Sequence, residues 1–364
     1  MKITIEQYIA LCFEMRNSNK HDFFNINDIW KMEQTIRKVQ AEVADRLQLD
    51  LPVRFINSYN VDSCIVELSG NKDYYHIIDL SMFCYFHGLL GTLELNFPNV
   101  AVFMYRELRR DICLSKHNEK EAEYYAAKAI YVNEHERINA GLPVKFTEAQ
   151  MASFDCMLSF YFLHEYSHYF LKNPVRESSN EFVDSLFESF IKDVADNDVP
   201  YLNKEIQQMA VNKLRNDWKS NYDLREEVYC DFQAILCLLE LPGRYKYISA
   251  DMIFDSAMSF LYIQHIIWQA KRIDEPIEFV NDFAFRQSMI AFFAYLMEEK
   301  DFSDLICQLL QRGNRFFVPT KFDVSPSLWT KQQRFYAWFT HIYAADRYKQ
   351  IKDGKYVFPI FCDS

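Results

Sequence analysis

The sequence predicts an α+β protein, mainly α-helical, with a small antiparallel sheet placed before its most informative helix. Three observations predict this class. Only 7 Gly and 10 Pro interrupt 364 residues, so long helices meet few breakers. Apolar residues make up 50% of the chain, enough for a sizeable core. One window, residues 52–81, departs from the helical pattern and collects short β-rich runs between turn residues.

Taken in order, residues 1–50 read as helical, with Asn27-Asp28 as a start ahead of Ile29-Trp30. Val53 to Asn57, Cys64 to Leu68 and Tyr74 to Ile78 are then rich in β-branched and aromatic residues. Ser58 to Ser63 and Ser69 to Asp73 separate these runs with Ser, Asn, Asp and Gly, which supply turn chemistry. The three runs read as a small antiparallel sheet. Helical patterns follow at 81–91, 98–113, 119–139, 147–172, 178–196, 202–219, 224–240, 250–271, 277–299, 302–312 and 328–350, with Pro174 and Pro200 marking boundaries. The linkers are short. The expected organisation is an N-terminal α+β lobe over 1–145, a central helical segment over 146–240 and a C-terminal helical lobe over 241–364.

Composition narrows the function. The formal net charge is −11, and phosphate contacts need clustered Lys and Arg, so no nucleic-acid partner is expected. The one basic run, Arg106 to Arg110, is interrupted by Glu107 and Leu108 and reads as a solvated helix face. Nine cysteines form no C-x-x-C pair. Cys84, Cys113, Cys156, Cys230 and Cys237 sit among apolar residues, which fits reduced, buried thiols in a cytoplasmic protein. Met1 to Arg16 carries Glu6 and Glu14 where a signal peptide needs a basic and then an apolar region. No apolar run reaches the ~18 residues that span a bilayer, so no membrane partner is expected. The nearest, Met157 to Leu171, is broken by the charged and polar residues of a motif.

That motif is His164-Glu165-Tyr166-Ser167-His168, an H-E-x-x-H pattern. Phe154, Met157, Leu158 and Tyr161 lead into it at helical steps, in a helix expected from near Thr147 to near Pro174. Two histidines four apart on a helix project from one face, so both imidazoles can reach one metal ion. Glu165 can then address a water on that metal. Catalytic zinc usually takes three protein ligands and leaves a fourth position to water. Leu171 stands where an extended H-E-x-x-H-x-x-G motif needs Gly, and no histidine follows at the matching place.

The third ligand is therefore sought on a later helix, in Arg225 to Ala234. Glu226 and Glu227 compete for the role. Asp223 reads as an N-cap with Glu226 three residues later, a capping box that occupies Glu226 and frees Glu227. Asp231 lies one turn beyond Glu227 on the same face, placed to accept from the outer N–H of a ligand imidazole. Cys230 is off that line and reads as a buried small hydrophobe. Phe292-Phe293 and Trp338-Phe339 read as packing.

His164-Glu165-x-x-His168 with Glu227-x-x-x-Asp231-x-x-Ala234 resembles the gluzincin metallopeptidases, and more loosely the Lit-type phage-exclusion and ImmA/IrrE-like cytosolic peptidases. The resemblance covers two helices. It implies a zincin-like fold, Zn2+ bound by His164, His168 and Glu227, Glu165 as general base, Asp231 behind a ligand histidine, and a protein or peptide substrate. His265 and His341, with Tyr262, are candidates for the donor that stabilises the tetrahedral oxyanion. A protein-binding module that keeps the fold without catalysis, and a zinc hydrolase of a non-peptide substrate, stay open. The motif specifies water activation and not the bond attacked.

Overall fold

Few helix breakers and many apolar side chains give a chain dominated by helices, as expected. The structure is a computed structural model, and it describes residues 3–16, 26–68, 73–95, 98–135, 147–172, 178–196, 204–239, 250–272 and 282–298. Within these residues the elements run α1 (Ile5–Cys12), α2 (Ile26–Leu47), β1 (Val53–Ile56), β2 (Cys64–Leu68), β3 (Asp73–Asp79), α3 (Leu80–Leu95), α4 (Pro98–Ser115), α5 (Glu119–His135), α6 (Glu148–Lys172), α7 (Ser178–Asp196), α8 (Lys204–Ser220), α9 (Tyr222–Leu239), α10 (Ala250–Lys271) and α11 (Asp282–Glu298). The helices expected at 302–312 and 328–350 lie outside the described residues. Among the described residues no helix is long and apolar enough to cross a membrane.

The described residues form two compact units that interleave along the chain. One holds the residues up to Leu158 and those from Tyr262 onward in α10; the other holds Ser159 to Leu261 and α11. The units thus do not follow the order 1–145, 146–240, 241–364, because α6 and α10 each contribute to both.

In the first unit the three strands form one sheet in the order β1-β3-β2. It is mixed, which corrects the expected antiparallel sheet. β2 pairs antiparallel with β3, with Cys64 opposite Ile77, but β1 pairs parallel with β3, with Val53 opposite His76. The reason is that Ser58 to Ser63 is not a hairpin turn. The buried Asp79 carboxylate at the end of β3 accepts from Ser58 N at 3.1 Å and Asp62 N at 3.3 Å, and Asp79 N donates to Ser63 Oγ at 2.9 Å. These bonds tie the connection across the end of β3, so β3 inserts between β1 and β2. Ile5, Phe13, Ile56, Leu68 and Ile77 cluster around the sheet.

The basic run on α4 is a second correction. Arg106 is 8% exposed and Arg109 1%, so it is no solvated face. Arg109 donates to the Ala270 carbonyl and pairs with Glu121 at 3.2 Å. Arg110 pairs with Asp111 at 2.9 Å, and Arg16 pairs with the same carboxylate. Buried charges are tolerated only when partnered, and here the guanidinium forks find carbonyls and carboxylates. Cys84, Cys113, Cys156 and Cys230 are buried, as expected, whereas Cys237 is only partly buried.

In the second unit α7 packs on α8 and α9, and α11 packs on both α7 and α9. Aromatic side chains fill the space between them. Phe187 stacks on Trp218 at 4.4 Å, and Phe293 meets Phe182 at 5.7 Å and Phe232 at 5.5 Å, so Phe292-Phe293 are indeed packing residues. Trp218 Nε1 and Tyr229 OH both donate to Asp184 Oδ1, at 3.1 and 2.9 Å, which satisfies their polar tips. This core fixes α9 and α11, the helices that face the motif.

Candidate metal centre

α6 starts where the sequence places it. Gln150 N donates to Thr147 Oγ1 at 3.3 Å and Thr147 N donates to Gln150 Oε1 at 2.9 Å, a reciprocal cap that satisfies free amides of the first turn. The helix then runs unbroken through the motif to Lys172. Its spacing sets the two imidazoles side by side, ring centroids 4.9 Å apart. Phe160 and Phe260 wall the inner side, 6.1 and 6.4 Å from the His164 ring.

α9 supplies the carboxylates. Its N-cap is Asn221, whose Oδ1 accepts from Leu224 N at 3.1 Å, so the expected capping box of Asp223 with Glu226 does not form. The helix starts two residues earlier than that box requires, with Asp223 already in its first turn. Glu226 is thus not consumed by a cap. Its Oε1 lies 2.8 Å from Nδ1 of His168. Glu227, one position on, reaches the other nitrogens: its two oxygens lie 3.4 Å from His164 Nε2 and 3.4 Å from His168 Nε2. Glu227 thus lies beside the two histidines, although the capping argument that singled it out fails.

The three side chains are close enough to share one ion. The two Nε2 atoms are 3.2 Å apart, and each is 3.4 Å from a Glu227 oxygen. Donors about 2.0–2.1 Å from a tetrahedral zinc stand roughly 3.3–3.4 Å from one another, and the separations here are of that size, although each nitrogen faces a different oxygen of Glu227. Among the described residues, His164, His168 and Glu227 are the one set of metal-ligating side chains gathered in this way. Exposure rises across the triangle, from 1% at His164 through 19% at His168 to 36% at Glu227. The inner edge is therefore sealed and the outer edge is open to water.

Behind the triangle stands a layer of charge. His164 Nδ1 lies 2.9 Å from Asp231 Oδ1, within hydrogen-bond distance though not at hydrogen-bond angle. Each imidazole of the pair thus has its own carboxylate on the far nitrogen, Asp231 for His164 and Glu226 for His168. Such partners fix the tautomer that leaves Nε2 free and raise its basicity. Asp231 is fully buried and is held by Arg286 of α11 through two contacts, Nε to Oδ2 at 2.6 Å and a terminal nitrogen to Oδ1 at 2.7 Å. The remaining terminal nitrogen of Arg286 reaches Glu227 Oε2 at 2.7 Å.

The charges respond as Coulomb's law requires. Burial alone favours neutral carboxyls, yet Arg286 and then His164 hold Asp231 below its usual value. Burial pushes Glu227 up, but Arg286 and the two imidazoles outweigh it and keep the carboxylate well below its usual range. Burial pushes His164 down, but the Asp231 and Glu227 carboxylates outweigh it and lift the imidazole to about 9. His168 is raised by Glu227, against burial, and the Glu165 charge adds to the rise. Metal-free His164 is therefore protonated at neutral pH, and a metal ion bound there would have to displace that proton.

Glu165 is half-buried beside the cluster, one residue from His164. Cys230 is buried and its thiol is pushed well above its ordinary value, first by burial and then by Glu227 and Asp231, as befits a packing residue and not a thiolate ligand. His265 belongs to the first unit, is 7% exposed, and has its imidazole pushed to about 4 by burial; Tyr262 is also in that unit. The metal-site side chains all come from the second unit. His341 lies outside the described residues. Sequence reasoning missed two residues, Glu226 as a histidine partner and Arg286. The second had a signal: Arg286 is the one basic residue in the otherwise apolar run Asp282 to Glu298, and a charge there demands a buried partner. No protein-family model matches the chain, and no curated protein or solved structure matches it.

Proposed function

We propose that this protein is a zinc-dependent hydrolase, zincin-like in its catalytic helices, that acts as a soluble cytoplasmic endopeptidase on a protein or peptide substrate. The observation that supports it most is the gathering of His164 Nε2, His168 Nε2 and the Glu227 carboxylate, the two nitrogens 3.2 Å apart and each 3.4 Å from one of its two oxygens, with an open outer side. The preference for a peptide bond comes from the gluzincin-like pairing of the two motifs.

His164, His168 and Glu227 would hold the zinc, which when bound lowers the pKa of a water from ~15.7 toward ~7 and polarises a carbonyl. Asp231 and Glu226 keep both imidazoles turned with Nε2 toward the ion. Glu165, next to His164 and half-buried, takes up the water proton on a carboxylate oxygen and passes it to the leaving amine. The apolar wall of Phe160 and Phe260 keeps bulk water from the inner side.

The deciding experiment compares the new protein N-termini that appear across a host proteome when the wild type or Glu165→Gln is expressed. Cleavages present with the wild type and missing with the variant are the expected result, with zinc content equal in both. Equal zinc content with identical N-termini leaves the binding-module reading standing and removes the peptidase one.

A further inference from the structure

We infer that Arg286 is a positioning residue that sets how Glu227 binds the metal, leaving one carboxylate oxygen for the ion and with it a free coordination position. The inference rests on the zinc-site reading. A glutamate has two oxygens and can bind an ion through one or both. Here the choice is constrained from the far side. Glu227 Oε2 is 2.7 Å from an Arg286 terminal nitrogen, closer than its 3.4 Å to His164 Nε2. Oε1 lies 3.4 Å from His168 Nε2. Oε2 is thus engaged by a charged donor, and Oε1 is the oxygen available to the ion.

The guanidinium is itself held rigidly. Its Nε and second terminal nitrogen take both oxygens of the fully buried Asp231, at 2.6 and 2.7 Å, and its plane sits 5.5 Å from the Phe283 ring. Asp231 in turn faces Nδ1 of His164 at 2.9 Å. One side chain from α11 therefore links a ligand carboxylate on α9 to the carboxylate behind a ligand histidine on α6. Only a planar fork of donors can make these contacts together; a single ammonium on a flexible stem cannot. A purely structural ion pair would need Asp231 alone. The additional bond to Glu227 ties the fork to the coordination of the metal.

The test uses the full chain stripped of metal and reloaded with Co2+, whose visible bands report coordination number and geometry. Zinc affinity is measured in parallel by competition with a chromogenic chelator. Arg286→Lys keeps the buried cation and so preserves folding, while Arg286→Gln removes the charge. The expected result is that Arg286→Lys folds with wild-type circular dichroism but binds zinc roughly 10- to 100-fold more weakly, the range for removal of an outer partner. Its cobalt bands should shift toward those of a higher coordination number. Arg286→Lys with wild-type affinity and wild-type cobalt bands overturns the inference whether or not Arg286→Gln folds. The outcome is separable from failure of the zinc reading itself. If the wild type takes up no stoichiometric Co2+, or His164→Ala takes up as much, the metal site is wrong and not merely the role of Arg286.

Discussion

Metal-dependent stability is the outcome that the zinc-site proposal predicts for the second unit. Glu226, Glu227 and Asp231 gather against the two imidazoles and the one guanidinium, Arg286, and metal-free the His164 imidazole holds a proton among them. A dication on the His164, His168 and Glu227 donors would replace that proton with a charge of two. In the unfolded chain these residues are scattered over 123 positions, from His164 to Arg286, and offer no comparable site. Binding to the folded form alone stabilises it by RT ln(1 + [L]/Kd), about 2.7 kcal/mol when free zinc is a hundred times its Kd. For a unit of this size each kcal/mol moves the melting temperature by roughly 2–4 °C, so the expected rise is about 5–11 °C. Metal-stripped protein titrated with zinc in a differential scanning experiment reads this directly. Magnesium, which prefers all-oxygen octahedral surroundings, should give far less. His164→Ala and Glu227→Ala should each abolish most of the zinc response and should also lower the zinc-free melting temperature, since each removes a charge that its buried neighbours hold. The reasoning is refuted if saturating zinc leaves the wild type unmoved, or if it shifts the double variant His164→Ala/His168→Ala by the same amount.

Three other outcomes are expected. Glu226→Gln removes the anionic partner of His168 Nδ1 and should weaken zinc binding roughly 10- to 100-fold in chelator competition, with secondary structure unchanged. Phe232→Ala should cost about 3–5 kcal/mol in urea unfolding, because the ring is fully buried against Phe182 and Phe293 and leaves a cavity. The fully buried His76 of β3 has its pKa lowered from 6.5 to about 3 by burial. Between those values the unfolded chain binds the proton and the folded one does not, so stability falls as pH drops below 6.5, by up to about 1.4 kcal/mol per pH unit, and levels off near 3. His76→Phe should flatten that acid limb in equilibrium unfolding; an unchanged slope would mean that other groups carry it.

The sheet and the site show in different ways how far sequence patterns reach. The three strands are visible because β-branched and aromatic runs announce themselves locally. Their order is not, because it depends on Asp79 gathering amides from Ser58 and Asp62, residues 17 to 21 positions away. The α4 arginines look like a surface run because charge is usually solvated. Their burial was decided by partners far along the chain, Asp111 meeting Arg16 and Arg109 meeting the Ala270 carbonyl. In the metal centre the same division holds within one pair of residues. Asp231 is legible from Glu227 by a four-residue step, whereas the capping argument assigned Glu226 to the wrong partner. A cap depends on where the helix begins, and Asn221 rather than Asp223 begins it.

What the sequence by itself determined is therefore whatever a single helix can encode: His164 and His168 on one face, Glu165 beside them, Glu227 and Asp231 on one face of another helix. The 3.6-residue turn is a local constraint, and it places these side chains without reference to the rest of the chain. What only the tertiary structure decided is how the two faces meet. The packing of α9 and α11 around the aromatic core brings Glu227 to within 3.4 Å of both Nε2 atoms and sets Glu226 against His168. It also buries Arg286 where its fork joins Glu227 to Asp231. Those pairings are long-range and electrostatic, and they exist only once an apolar core has excluded the water that would otherwise have screened them.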